Sequence, residues 1–141
     1  MSPSATPRWL APGLIEGDEP VDPGTTVQLT SSWCPPCDRY EFPFRTSCPA
    51  CGGATESRPL SSQAILTGFT AVNHALPGAL VEAPYVVAIA AFPEGISILG
   101  TVVGAEYGEL SLGGRVRTVA VDVGGNVGYG YQLATFSDGD A

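Results

Sequence analysis

The chain of 141 residues suits one domain of ordinary size with a small appendage, and its hydrophobic content of 44% allows a real core. Its 14 acidic side chains outweigh six basic ones, all arginine, and a formal net charge of −8 argues against nucleic acid as a partner, because nucleic-acid binding requires a cationic surface. The sequence has no apolar run near the ~20 residues that span a bilayer and no charged-then-apolar leader, so we expect a cytoplasmic protein without a membrane partner.

Residues 1–25 form an arm that is rich in proline, glycine, serine and acidic residues. Prolines lack an amide donor and restrict the residue before them, so this arm is predicted to be extended and not one long helix. Trp9, Leu10, Leu14 and Ile15 interrupt its polarity. Two alternatives stay open, a disordered leader and an arm that docks on the protein's own surface or on a partner.

The four cysteines of the chain form two Cys-x-x-Cys hooks, Cys34 with Cys37 and Cys48 with Cys51, separated by ten residues. Each hook places two sulfur atoms on a tight turn, and two hooks together complete the tetrahedral four-sulfur site that structural zinc prefers. Two disulfides are the alternative, but a reducing cytoplasm favours metal binding. A four-thiolate zinc has no open coordination position, so the predicted role of the metal is structural.

The segment around the hooks, residues 26–58, is predicted to be a small metal ribbon. Residues 25–33 have the composition of a strand that leads into the first hook. Between the hooks, an alternating pattern predicts a short hairpin arm with Tyr40, Phe42 and Phe44 on one side. Because so small a core buries little apolar surface, the metal is expected to supply most of the stability of the ribbon.

After Arg58 and Pro59 the sequence changes to short apolar segments separated by glycine and proline turns. Strands are predicted over residues 64–74, 85–92, 96–103, 115–123 and 127–136. No segment has a sustained helical period, and five short strands fit the partly open Greek-key barrel called the OB-fold. The predicted fold is therefore mainly β, a rubredoxin-like zinc ribbon followed by an OB-fold domain over residues 59–136, with a frayed tail over residues 137–141.

Several motifs, in their order and spacing, resemble one family over about residues 27–136. The motifs are Phe42-Pro43-Phe44-Arg45, Cys48-Pro49-Ala50-Cys51-Gly52, Pro84-Tyr85-Val86-Val87-Ala88, the segment from Gly95 to Gly104, and Leu112-Gly113-Gly114-Arg115-Val116-Arg117. Together they resemble the zinc-ribbon/OB-fold acyl-CoA-associated proteins, which are catalogued as a domain of unknown function.

The resemblance implies a non-catalytic accessory subunit. Members of that family accompany thiolase-fold enzymes, including thiolases, hydroxymethylglutaryl-CoA synthases and the thiolase-like aldolases that cleave steroid side chains. They are thought to scaffold the partner in a hetero-oligomer and to help enclose the CoA thioester at a shared site. The family usually opens with an amphipathic helix that packs on the partner, and the proline-rich arm of this chain departs from that pattern.

The sequence itself offers no catalytic constellation. The cysteines are assigned to the metal, there is no lysine for Schiff-base chemistry, and no serine occupies a recognisable nucleophile turn. We therefore expect no enzymatic activity from this chain alone. Two alternatives from other classes are a nucleic-acid-binding OB protein, which would need a basic aromatic groove, and a rubredoxin-like iron electron carrier. Tetrahedral sulfur geometry alone does not separate zinc from iron, but Asp38 stands where rubredoxins keep a glycine, which favours zinc.

Six residues are candidate contacts to acyl-CoA or to the partner under this resemblance: Arg45, His74, Leu76, Pro77, Leu80 and Tyr85. Simpler roles stay open for most of them. Arg45 could pair with a local acid such as Glu41, His74 could be a hydrogen-bonded structural residue, and the apolar loop over residues 77–84 could cover the mouth of its own barrel. Arg115 and Arg117 share one face of a strand, as solvated charges or as an anion contact.

Overall fold

The regular secondary structure of the described residues is almost wholly β-strand. The computed structural model describes residues 8–11, 13–17, 19–72 and 85–134. In these residues lie eight strands and one short 3-10 helix: β1 Thr30–Cys34, β2 Arg39–Glu41, β3 Glu56–Pro59, β4 Gln63–Val72, β5 Tyr85–Ala91, β6 Ser97–Val102, the 3-10 helix Tyr107–Glu109, β7 Arg115–Val123 and β8 Asn126–Leu133. The predicted mainly-β class is confirmed. In this part of the chain no helix is long and apolar enough to cross a membrane.

The first three strands form a small antiparallel sheet in the order β2-β1-β3. The central strand β1 pairs on one side with β2, where Trp33 lies opposite Tyr40, and on the other side with β3, where Ser31 lies opposite Arg58. The Ser31 hydroxyl, which is fully buried, donates to the Arg58 carbonyl at 2.8 Å. This sheet carries the cysteine hooks at its turns.

The remaining five strands close into a barrel in the order β4-β5-β6-β8-β7. All neighbouring pairs are antiparallel except β6 and β8, which run parallel where Thr101 lies opposite Gly130. Strand β4 closes the barrel by pairing with both β5 and β7, and its register shifts between Leu66 and Gly68. A bulge of this kind bends a strand so that it can serve two neighbours. The predicted OB-fold barrel is confirmed.

The barrel core contains the inward residues of its strands, and the alternation of buried and outward residues is clearest on β5. On β5 the buried residues are Val86, Ala88 and Ala90. The same core cluster contains the fully buried Tyr131, whose ring lies 6.3 Å from that of Phe92 between centroids. Aromatic side chains of this size dominate core energetics because each buries a large apolar surface.

The N-terminal arm packs on the barrel. Trp9 forms a parallel bridge with Val127 of β8, and the Leu10 amide donates to the Val127 carbonyl at 2.7 Å. Ile15 is only 6% exposed and bridges Leu29. The sequence left open a disordered leader or a docked arm, and the described part of the arm docks on its own chain.

The chain between the arm and β1 changes partner, which corrects the predicted strand over residues 25–33. Residues 24–27 pair with β7, because the Val27 amide donates to the Thr118 carbonyl at 2.9 Å and the Ala120 amide to the Thr25 carbonyl at 2.8 Å. Only from Thr30 does the chain join the ribbon sheet. The division of the chain near residue 59 stays a prediction, since the arm and the ribbon both contact the barrel.

The hairpin arm between the hooks is shorter than the sequence indicated. Strand β2 ends at Glu41, so the alternation does not continue to Phe44. Tyr40 and Phe42 pack against the core, and the Phe42 ring meets Tyr129 of the barrel edge-on with centroids 5.9 Å apart. Phe44 is exposed. The expectation of three aromatic side chains on one side is therefore wrong for Phe44, because the chain leaves the strand before reaching it.

Candidate functional site: a four-cysteine metal centre

The two hooks lie at turns of the ribbon sheet. Cys34 is the last residue of β1, and Cys37 lies in the turn that leads into β2. Cys48 and Cys51 lie in the connection between β2 and β3, in a turn closed by a bridge between Ser47 and Ala54. Cys34 and Cys48 are buried, while Cys37 and Cys51 are exposed.

The two hooks have the same backbone geometry. After each second cysteine the chain enters the left-handed region, at Asp38 with φ 52° and at Gly52 with φ 76°. The amides of these two residues donate back to the carbonyls of Cys34 and Cys48, each at 2.7 Å. Glycine adopts this conformation without steric cost, whereas at position 38 an aspartate must do so. Its carboxylate accepts a hydrogen bond from the Trp33 indole at 3.0 Å, which holds it there.

The four sulfur atoms are close enough together to bind one ion. All four lie within 4.8 Å of one another, and the Cys34 and Cys51 sulfur atoms are 3.5 Å apart. A tetrahedron with zinc–sulfur bonds of about 2.3 Å has sulfur atoms about 3.8 Å apart. Two backbone amides also point at the ligands, from Ala50 to the Cys48 sulfur at 3.3 Å and from Gly53 to the Cys51 sulfur at 3.4 Å. Such donors stabilise thiolates, so the residues fit a metal such as zinc.

The electrostatics of the cluster favour a bound cation. Hydrogen bonds from the Cys51 and Ala50 amides lower the pKa of Cys48 to about 7, which favours the thiolate form of this residue. Hydrogen bonding with the Cys51 and Cys34 thiols raises the pKa of Cys37 to about 12. Four adjacent thiolates cannot form together without a positive charge among them, and a divalent metal supplies it.

A cation–π pair that the sequence analysis missed covers the ribbon beside the first hook. The guanidinium carbon of Arg58 lies 3.7 Å from the centroid of the Trp33 ring. The same guanidinium pairs with Glu56 at 3.4 Å. Trp33 therefore packs against Arg58 while its indole anchors Asp38 of the hook. The one signal in the sequence was the position of Trp33, directly before Cys34.

Of the six predicted contact residues, Arg45 and Tyr85 lie in the described part of the chain. Arg45 is exposed on the ribbon, and Tyr85 opens β5 of the barrel, half-buried and opposite Val72. His74, Leu76, Pro77 and Leu80 lie outside the described residues. The suggested pair of Arg45 with Glu41 does not form, because Glu41 is paired with Arg39 at 2.8 Å.

The barrel presents an exposed face without charge, which the sequence analysis did not identify. We call the outward-facing residues Gly68, Thr70, Val87, Ile89, Leu99 and Thr101 the β4–β6 face. Ile89 and Leu99 are 43% and 57% exposed and lie directly opposite each other on β5 and β6. Ile89 also lies opposite Gly68 of β4. The only signal in the sequence was that β5 is apolar on both of its faces, which a core strand shares.

The barrel matches a known domain family. Residues 57–121 match the model described as ChsH2, C-terminal OB-fold domain. A DUF35 domain-containing scaffold protein from Methanothermobacter thermautotrophicus is 29% identical over 112 residues, which cover 74% of this chain and 84% of that protein. Over its barrel the chain therefore resembles the DUF35 OB-fold family. This confirms the family resemblance on which the sequence analysis relied.

A solved structure has the same architecture as this chain. It is described as an Ltp2-ChsH2(DUF35) aldolase, and the superposition has a TM-score of 0.65 with 21% sequence identity. The match covers 77% of this chain and 86% of the other. At 21% identity the likeness shows a shared fold and nothing about activity.

Proposed function

We propose that this chain is a non-catalytic accessory subunit of a thiolase-like acyl-CoA enzyme, of the thiolase, synthase or steroid side-chain aldolase type. A relative with the same domain is called a scaffold protein, and a structure with the same fold is called an aldolase that contains a DUF35 component. Both descriptions favour a subunit that works with an enzyme. The proposal assigns no chemical step to this chain.

The observation that carries the proposal is the β4–β6 face. In a chain with a formal net charge of −8, this face has no charged side chain and exposes Ile89 and Leu99. Contiguous exposed apolar side chains mark interaction surfaces, because leaving them in water is unfavourable and partner binding removes them from it. The centres of protein interfaces are likewise depleted in charge. We assign this face to the catalytic partner.

The metal centre supports the same role by holding the ribbon in place. Cys34, Cys37, Cys48 and Cys51 would bind zinc as a closed four-sulfur site. Zinc supplies there a cross-link between the two hooks, which a sheet of three short strands needs to stay folded. Trp33, Asp38 and Arg58 then orient the first hook against β3.

We infer that the acyl-CoA binds at a site shared with the partner. Arg45, His74, Leu76, Pro77, Leu80 and Tyr85 remain its candidate contacts on this chain. A subunit that covers the entrance of the partner's active site excludes water around the thioester and strengthens the electrostatic interactions inside. A cytoplasmic setting, where thiols stay reduced, suits both the metal centre and this role.

A tagged copy of the chain expressed in its native host tests the proposal. Mass spectrometry of the co-purifying proteins is expected to identify a thiolase-fold enzyme, and the solubility or activity of that enzyme is expected to depend on co-expression of this chain. Recovery of nucleic acid or of redox proteins, with no thiolase-fold enzyme, would contradict the proposed function.

A further inference from the structure

Arg117, on the seam where β4 and β7 close the barrel, has only neutral partners among the described residues. Its guanidinium donates to the Thr26 hydroxyl and to the Gln132 side-chain carbonyl. A guanidinium is always charged and has five N–H donors, so more donors are present than these two bonds use. Both ion pairs found in the described part of the chain belong to other arginines, Arg39 and Arg58 of the ribbon.

The surroundings of Arg117 are those of an anion-binding pocket. Thr26, Ser62 and Gln63 line the cavity beside it and supply two hydroxyls and an amide. Gln63 is the cross-strand register partner of Arg117, so the two side chains stand on the same side of the sheet. Arg117 is half-buried. A cation in such a position is favoured by a counter-charge, and an oxyanion can accept from the guanidinium and the hydroxyls together.

The same cavity system continues towards a second arginine and an apolar end. Arg115 lies two residues before Arg117, on the same face of β7 and about 7 Å along the strand. Together with Gln63, it lines an adjacent cavity whose other walls are mostly apolar, namely Ala64, Ile65, Ala91, Phe92 and Pro93. Gln63 borders both cavities, so they lie side by side along the seam, and we call the two together the seam groove.

We propose that this seam groove binds a soluble organic phosphate that carries an apolar substituent. The phosphate lies against Arg117, Ser62 and Thr26 with Arg115 beside it, and the apolar part lies against Ile65 and Phe92. A membrane is a poor source of this ligand, because a chain with a formal net charge of −8 is repelled by anionic bilayers. The inference does not depend on the proposed enzyme partner, since the groove and the β4–β6 face are separate sets of residues.

Calorimetric titration of the full, metal-loaded chain with octyl phosphate, below its micelle concentration, tests this proposal. The wild type is expected to bind octyl phosphate more tightly than inorganic phosphate, because the alkyl chain leaves water in the apolar end. Arg117→Gln and Arg115→Gln are each expected to weaken octyl phosphate binding about tenfold or more, the equivalent of one charge-assisted hydrogen bond. Arg39→Gln removes the same charge from the ribbon and is expected to leave binding unchanged.

Several results would overturn the proposal. No measurable binding of octyl phosphate by the folded wild type would remove the site. An equal loss of octyl phosphate affinity in the Arg39→Gln and Arg117→Gln variants would show that only net charge matters. If Arg117→Gln does not fold, the comparison of Arg39→Gln with Arg115→Gln makes the same test, because Arg115 is exposed. Inorganic phosphate binding as tightly as octyl phosphate would exclude the apolar end. Sedimentation with phosphatidic acid vesicles would identify a lipid surface as the source and contradict a soluble ligand.

Discussion

The phenol of Tyr131 donates a hydrogen bond to the carbonyl of Ile98 at 2.9 Å, from β8 to β6. Tyr129, on the same strand, donates to the next carbonyl, that of Leu99, at 2.6 Å. The register of β6 with β8 pairs only Thr101 and Val102 of β6, so these two hydroxyls link the strands where the paired residues end. The parallel strands β6 and β8 are therefore joined in part by side chains.

Replacing Tyr131 by phenylalanine is expected to destabilise the protein by about 1–2 kcal/mol. Tyr131 is fully buried, and the substitution leaves the Ile98 carbonyl without its donor. Urea unfolding of both proteins measures the difference. Tyr129→Phe is the matched comparison, and its cost is expected to be smaller because that hydroxyl bond is more exposed to water.

The same tyrosines predict a loss of stability in alkali. Burial raises the pKa of Tyr131 well above its usual value, with a smaller contribution from the neighbouring Tyr129. A group whose folded pKa is raised contributes fully below the unfolded value of about 10 and loses that contribution as the pH rises towards the folded value. Stability should therefore fall above about pH 10, by up to about 1.4 kcal/mol per pH unit for each such group.

Denaturant unfolding between pH 8 and pH 11.5 measures this dependence. The Tyr131→Phe protein lacks one titrating group, so its stability should fall less steeply than that of the wild type. Parallel slopes for the two proteins would show that Tyr131 ionises at its ordinary pKa and is not sealed in the core.

A methyl group at Gly100 is expected to disrupt the contact between β6 and β8. A Cβ there would lie 2.9 Å from the Tyr131 ring and 3.0 Å from the Tyr129 ring, closer than carbon atoms pack. Gly100→Ala should therefore destabilise the barrel by about 1–3 kcal/mol, the usual cost of overpacking. At Gly108 a Cβ meets nothing within 4 Å, so thermal unfolding of Gly108→Ala should differ from the wild type by no more than about 0.5 kcal/mol. Equal effects at both positions would contradict the tight packing at Gly100.

Local patterns predicted some elements well and others poorly. Strand β7 has the bounds predicted for it, Arg115–Val123, because turns on both sides mark its ends. The metal centre could be predicted because each hook is a local structure, whose spacing alone brings the sulfur atoms together. The pairing of residues 24–27 with β7 is a tertiary choice, and nothing in their sequence distinguishes that partner from the ribbon. The β4–β6 face was missed because an exposed Ile89 has the same pattern as a buried one.

The metal centre predicts a single zinc ion per chain in the purified protein, which elemental analysis can measure. The zinc-loaded protein should be colourless, whereas a red protein would support the iron electron carrier. Cys37→Ser removes one ligand and should lower the zinc content and unfold the ribbon. The ribbon signals in an NMR spectrum should collapse while those of the barrel, which has its own core, remain. Full retention of zinc by Cys37→Ser would contradict a four-cysteine site.

The β4–β6 face provides the most direct test of the proposed subunit role, through quantitative co-purification of the thiolase-fold partner with variants of this chain. Leu99→Glu places a charge on the face, and Leu112→Glu makes the same change at an exposed leucine, 68% exposed, in the turn before β7. Because both side chains are exposed, both variants should fold. Leu99→Glu is expected to recover at least about tenfold less partner than the wild type, and Leu112→Glu the same amount as the wild type. Undiminished recovery with Leu99→Glu would contradict the assignment of this face to the enzyme.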